Sequence, residues 1–208
     1  MWISWGTADR KKGEETYVNG ILDGLVTVWH ENGNKDREGI IRGNEPEGSW
    51  TYYFADGKED FRFDYGSGLD RVRIAELEER DGTFYKIGKH KPYTGIVVES
   101  GGLKDYLLLG RFQAGRRDGQ WVQWYRNGQK EVEGIYYRGK KHGDWTLWYE
   151  DGTLKEKGTF DMGVADGNYQ YWYPNGHLHM EQSYNKGEPQ GRWTWWFEHD
   201  HNLNFTDG

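Results

Sequence analysis

A single phrase returns along this chain every 24 residues, and it constrains the fold more than any other feature. Gly119, Gly143, Gly167 and Gly191 are successive anchors 24 apart, Gly95 lies 24 before the first, and Gly24 and Gly48 repeat the interval. Two residues after the anchor stands a ring: Trp121, Trp145, Tyr169 or Trp193. Five after it comes Trp124, Trp148, Trp172 or Trp196, followed by Tyr125, Tyr149, Tyr173 or Phe197. Asn127-Gly128, Asp151-Gly152 and Asn175-Gly176 close these phrases, with Asn32-Gly33 and Asp56-Gly57 as their N-terminal counterparts. Self-similarity of this length means one supersecondary unit copied along the chain.

Asn-Gly or Asp-Gly between short alternating segments predicts a β-hairpin with a two-residue type I′ turn, which needs two positive φ values. Each unit is therefore one hairpin, and Gly-x-x-x-Gly segments such as Gly139–Gly143 pass the chain to the next. A two-residue turn sets the register: Trp121 opposite Gly134, Trp145 opposite Gly158, and Trp50 opposite Phe63. A ring beside a strand glycine covers exposed backbone. Period-2 alternation puts Tyr125, Val132, Tyr136, Leu147, Tyr149, Leu154 and Phe160 on that same packed face, with Tyr169, Tyr171, Tyr173, Leu178 and Met180. The opposite face carries a column, Trp124, Trp148, Trp172 and Trp196, among Glu131, Glu133, Lys155, Lys157, His179 and Glu181. That face is expected to be solvated.

Composition supports this reading. The chain has 31 Gly, 12 Trp, 15 Tyr and 8 Phe among 208 residues, yet a mean hydropathy of −1.05. Aliphatic residues are few, so burial must come from rings, which remove about 150–250 Å² each from water. With only 4 Pro, the glycine content is neither collagen-like nor that of a Pro-rich linker. No cysteine is present, which excludes disulfides and thiolate metal sites. A net charge of −7 argues against nucleic acid as a partner. No apolar run approaches about 20 residues, so membrane insertion is not expected. The opening Met1-Trp2-Ile3-Ser4-Trp5 does not read as a signal peptide, which favours the cytoplasm; an exported form after a removed signal is the alternative.

The fold class expected is all-β: an elongated, twisted antiparallel sheet of about eight stacked hairpins in one continuous array. It divides into N-terminal hairpins over 1–65, an irregular connector and degenerate repeat over 66–95, and regular hairpins over 96–208. Residues 66–80 fall out of phase and read as an irregular, partly extended connector, with a short helix or a strand that turns Val72 and Ile74 inward as the alternatives. The unit at Gly95 has Val97 and Ser100 where rings are expected. Trp2 and the segment after Trp196 are expected to cap the array.

No nucleophile elbow, P-loop, dinucleotide fingerprint or His-Glu-x-x-His occurs, and no cofactor is expected. Asp23, Asp118 and Asp166 precede anchor glycines, where a carboxylate accepts local backbone N–H groups rather than serving acid–base chemistry. His177 and His179 share one face, and His201 holds the position equivalent to His177 in the next hairpin. Equivalent positions lie two strands apart, about 9–10 Å, too far for one metal ion without further reach. Arg116-Arg117 and Lys140-Lys141 recur at one edge of the ribbon, which is read as solvated.

The phrase Gly-x-Trp-x-x-Trp-Tyr-x-Asn-Gly at a 24-residue interval resembles the bacterial variant of the MORN repeat. Arg80-Asp81-Gly82-Thr83-Phe84-Tyr85, followed by Lys91-Pro92-Tyr93-Thr94-Gly95, is similar to the YwqK-type antitoxin family that carries such repeats. The resemblance implies a binding scaffold without catalytic residues and, through the antitoxin family, a toxin as protein partner.

From the residues, the expected function is non-enzymatic protein binding. The candidate partner surface is Trp29, Trp124, Trp148, Trp172 and Trp196, because Trp is enriched in binding hot spots. A glycan- or choline-binding aromatic module is the alternative, since rings stack on sugars and cage quaternary ammonium groups. Open sheet edges are expected to admit pairing with a second copy.

Overall fold

The computed structural model describes residues 2–5, 11–66, 69–102 and 105–198. The chain divides into two units, Met1–Leu69 and Asp70–Gly208, built almost wholly from antiparallel strands, with no α-helix among the described residues. The first unit contains β1 (Trp2–Trp5), β2 (Lys11–Glu15), β3 (Tyr17–Val18), β4 (Ile21–Leu22), β5 (Gly24–Trp29), β6 (Lys35–Arg42), β7 (Glu45–Tyr53) and β8 (Glu59–Asp64). Six of them form one sheet in the order β1-β2-β5-β6-β7-β8, while β3 and β4 make a small separate hairpin.

The second unit opens with β9 (Arg71–Val72), a 3₁₀ turn (Ile74–Glu76), β10 (Leu77–Arg80) and β11 (Thr83–Lys86). Its ladder then runs through β12 (Gly95–Gly102), β13 (Asp105–Gln113), β14 (Arg116–Trp124), β15 (Lys130–Tyr137), β16 (Lys140–Trp148) and β17 (Leu154–Asp161). It ends with β18 (Val164–Ala165), β19 (Gly167–Trp172), β20 (Leu178–Asn185) and β21 (Glu188–Trp195). These make an 11-stranded sheet in which β9 pairs β12 in parallel and β10–β11 stands as its own hairpin. The described strands of each unit form a ladder of their own, the second ending where β9 pairs β12. The connector is mostly extended, with one turn of 3₁₀ helix.

The pairing registers agree with expectation: Trp121↔Gly134, Trp145↔Gly158 and Trp50↔Phe63. The turns that produce them do not. At Asn127-Gly128 only the glycine has positive φ (+85°), and the Gly128 N–H donates to the Tyr125 carbonyl at 3.0 Å. This is a type I turn closed by a glycine bulge. The Gln129 N–H donates to Asn127 Oδ1 at 2.9 Å, and Asp151 and Asn175 accept equivalently from Thr153 and His177. A carboxylate serves as well as an amide here, which is why Asp and Asn alternate. The backbone N–H of Thr153 holds the Asp151 carboxyl below its usual range. Type I′ turns sit instead at the links, where consecutive positive φ values occur at Arg138 (+50°) and Gly139 (+86°), and at Met162 and Gly163. The register is right despite the exchange because the three-residue loop shifts the pairing by one and the bulge shifts it back.

Packing follows from the strand glycines. A Cβ at Gly134 would enter the indole of Trp145, one at Gly110 the indole of Trp121, and one at Gly39 the indole of Trp50. One at Gly158 would come within 2.5–2.7 Å of Tyr169 ring carbons. Each ring thus lies on a glycine of the preceding strand, so Trp145 and Tyr169 join successive hairpins. The indole N–H groups of Trp50 and Trp145 donate to Ile40 and Ile135 carbonyls at 3.0 and 3.2 Å. From Trp121 through Tyr136, Trp145, Phe160 and Tyr169 the rings meet edge to face at 4.9–6.5 Å, each pair adding about 0.5–1.5 kcal/mol beyond area burial.

Hairpin β10–β11 bears on the start of this face: Val72, Tyr93, Val97, Leu108, Phe112, Trp121 and Trp145 form one buried cluster, against which Phe84 and Leu77 pack. The Gly115 N–H donates to the Tyr93 carbonyl and the Phe84 N–H to the Gly115 carbonyl, which holds the hairpin there. In the first unit Tyr52 stacks on Phe61 at 4.4 Å, and its hydroxyl meets that of Tyr65 at 2.9 Å.

The face opposite is not uniformly solvated, contrary to expectation. One cross-strand row runs Val122, Glu133, Thr146, Lys157, Gln170, Glu181 and Thr194, and only its first member is apolar and fully buried.

Candidate functional site

The bulge after each Asn-Gly or Asp-Gly turn re-aims the second tryptophan of every repeat. Trp124 pairs with Lys130 rather than Glu131, Trp148 with Leu154 rather than Lys155, and Trp172 with Leu178 rather than His179. These rings therefore alternate with Lys130, Leu154 and Leu178 along the turn rim of the second sheet, at steps of about 9–10 Å. Trp124, Trp148, Trp172 and Trp196 are all half-buried. Trp29 is half-buried as well but belongs to the first unit, where it pairs with Lys35 and has the Lys11 ammonium 4.7 Å from its ring.

The rim is tied from repeat to repeat. Tyr125, Tyr149 and Tyr173 donate their hydroxyls to the carbonyls of Trp148, Trp172 and Trp196 at 2.9, 2.9 and 3.1 Å. His30 Nε2 meets the Tyr53 carbonyl at 2.9 Å in the first unit. Asn127 Nδ2 donates to the Glu150 carbonyl of the following turn at 2.6 Å.

Lys130 lies with its ammonium 5.5 Å from the Trp148 ring and 2.7 Å from Glu133. Lys35 repeats the motif, 5.9 Å from Tyr53 and 2.6 Å from Glu38. The hydrogen bond from Lys35, with a second from the Tyr53 hydroxyl, holds the Glu38 carboxyl below its usual range. The Trp148 ring is thus partly covered by Lys130, and all four rim tryptophans keep part of their surface exposed.

The acidic residues before the anchors do not converge. Asp118 and Asp166 accept the backbone N–H groups of Arg138 and Lys186 at 3.0 and 3.2 Å, and Asp23 accepts from Arg42 at 2.5 Å. Among the described residues no group of three or more His, Cys, Asp or Glu side chains is placed to hold a metal ion. The His179 ring lies tilted against that of Tyr173, 4.2 Å between centroids; His201 lies outside the described residues, as does the segment after Glu198.

Two side chains depart from expectation. Arg117 and Lys141 are not at a solvated edge. The Arg117 guanidinium lies 5.0, 5.1 and 5.5 Å from the rings of Phe84, Trp121 and Tyr136. The Lys141 ammonium lies 4.4 and 4.8 Å from those of Trp145 and Phe160. Each precedes its ring by four residues, and that shared parity was the signal in the sequence. Burial pushes the Tyr136 phenol above its usual range, against the opposing pull of Arg117.

The MORN repeat variant family matches residues 117–137, 141–162 and 165–186, together less than half of the chain. Each matched stretch corresponds to one hairpin: β14–β15, β16–β17 and β19–β20. MORN repeats are in general non-catalytic modules that bind proteins or membranes. No curated protein matches the chain.

Proposed function

We propose that this chain is a non-catalytic repeat scaffold that binds a protein partner, acting as an antitoxin or immunity-type protein whose partner is a toxin. The observation that carries the protein-binding reading is the turn rim: Trp124, Trp148, Trp172 and Trp196, half-buried and recurring every 24 residues, with the last three tied through their backbone carbonyls to the preceding repeat. A rim whose backbone is tied from repeat to repeat loses little entropy on binding, and tryptophan is enriched where binding energy concentrates. The antitoxin reading is supported by the similarity of residues 80–95 to that family.

The test is capture from lysate of the source cells with the wild-type chain and with a Trp124→Ala, Trp148→Ala, Trp172→Ala variant. A protein retained by the first and lost by the second supports the rim as the contact. Growth inhibition by that protein, relieved on co-expression with the wild-type chain, supports the antitoxin role. Retention by both chains removes the rim from the proposal. Capture of glycan or choline matrices in place of any protein favours the aromatic-module alternative, which needs open ring faces. Trp145 and Tyr169 are only 3% and 5% exposed, so their faces do not meet that need.

A further inference from the structure

We propose that Arg117 and Lys141 are a paired anion-reading site on the ring-bearing face of the second sheet, and that its occupant is an acidic segment of a protein partner. The class of partner rests on the protein-binding reading above, but the surface is a different one. Both cations occupy the same repeat position, on β14 and β16, and both are half-buried over rings. Neither has a carboxylate partner among the described residues, although the chain carries more acids than bases. Arg117 Nε is buried without a hydrogen-bond partner. The neighbouring Asp118 accepts the Arg138 backbone N–H instead.

A guanidinium stripped of part of its water and given only ring faces lacks its counter-charge. Cation–π contact offsets part of that loss but satisfies no N–H donor. A carboxylate from outside supplies both charge and acceptor, and Arg presents a planar fork to it. The rings hold the two heads in advance, so little side-chain entropy is lost on binding.

Spacing narrows the ligand. Equivalent positions on β14 and β16 are two strands apart, about 9–10 Å. A polyproline-II segment rises about 3.1 Å per residue with three residues per turn, so acids three apart recur on one face at about 9 Å. A segment with acids at i and i+3 therefore fits both cations. The next two repeats carry Ala165 and Pro189 at this position, which limits the site to two charges. A site of two cations on a chain of net charge −7 suits a short acidic peptide rather than an anionic membrane surface.

The experiment is fluorescence anisotropy at low salt with a labelled peptide of four Glu-Pro-Ser repeats, against the same peptide with Gln in place of Glu. The wild-type chain is expected to bind the Glu peptide only, with affinity falling about tenfold in Arg117→Met and again in Lys141→Met, the loss of one charge-assisted contact each. Arg117→Lys keeps the charge and is expected to lie between. Trp148→Ala is expected to leave peptide binding unchanged, which separates this site from the rim. Equal binding of the two peptides, or Glu-peptide affinity unmoved by both methionine variants, overturns the proposal. So does binding of inorganic phosphate or of phosphatidylserine vesicles that exceeds peptide binding and is lost in those variants. Rim-dependent capture of a protein without Glu-peptide binding refutes this site alone; Glu-peptide binding without rim-dependent capture refutes only the rim.

Discussion

Gly134→Ala is the sharpest test of how these hairpins are joined. Gly134 is not among the positive-φ residues, so alanine meets no backbone strain there, and on strand entropy alone the change stabilises by about 0.5–1 kcal/mol. The Trp145 ring reverses that sign. Its indole occupies the place of the new methyl, is 3% exposed, and donates to the Ile135 carbonyl at 3.2 Å. Overpacking costs about 1–3 kcal/mol, and the strained or lost indole hydrogen bond about 0.5–1.5 kcal/mol more. After subtraction of the strand-entropy gain, a net loss of about 0.5–4 kcal/mol is expected. With a urea m-value of about 2 kcal/mol/M, the unfolding midpoint falls by about 0.3–2 M. The assay is urea titration followed by far-UV circular dichroism, so that the signal does not depend on the tryptophan under test. In a Trp145→Ala background the same Gly134→Ala change is expected to be neutral or stabilising, and the difference between backgrounds is the coupling energy. A Gly134→Ala midpoint at or above wild type in the Trp145 background would falsify the ring-on-glycine packing.

Three further outcomes follow from the turns and the rim. Met162, at φ +50° in a link turn, is expected to gain about 0.5–1 kcal/mol as Met162→Asn, because asparagine tolerates the left-handed region; an unchanged or lowered urea midpoint counts against type I′ links. Tyr149→Phe removes the donor to the Trp172 carbonyl and is expected to cost about 0.5–1.5 kcal/mol. Hydrogen exchange should then speed up at the Asp151–Thr153 turn and at Trp172, and uniform exchange would contradict repeat-to-repeat tying. The Glu38 carboxyl is held low chiefly by Lys35. Its contribution is therefore present above the unfolded glutamate range, near pH 4.3, and lost as pH falls through the lower folded value. Wild type should exceed Glu38→Gln in stability at pH 7, with the gap closing in acid; a gap constant with pH would refute the assignment.

Much of this architecture was legible in the amino-acid order. A 24-residue period and alternating rings sufficed for the hairpin unit, for the Trp121–Gly134 and Trp145–Gly158 pairs, and for the local duty of Asp118 and Asp166. Turn type was not legible, because an Asn-Gly pair serves either a two-residue type I′ loop or a type I turn with a bulge. Both lead to the same pairing farther along the strands. What the bulged turns share is the side-chain acceptor: Asn127, Asp151 and Asn175 each take the backbone N–H two residues on. The difference matters at the rim, where the bulge exchanges Glu131 for Lys130 opposite Trp124.

Sequence by itself therefore determined the repeat, the face on which Trp121, Trp145 and Tyr169 lie, and the register of their strands, since side-chain alternation and chain connectivity are local properties. Only the tertiary structure decided which neighbour each ring leans on, where hairpin β10–β11 docks, and what surrounds Arg117 and Lys141. Those outcomes depend on contacts between strands far apart in the chain. A ring flanked by glycines on both sides has two ways to lean, and the choice is made by the strand that packs beside it.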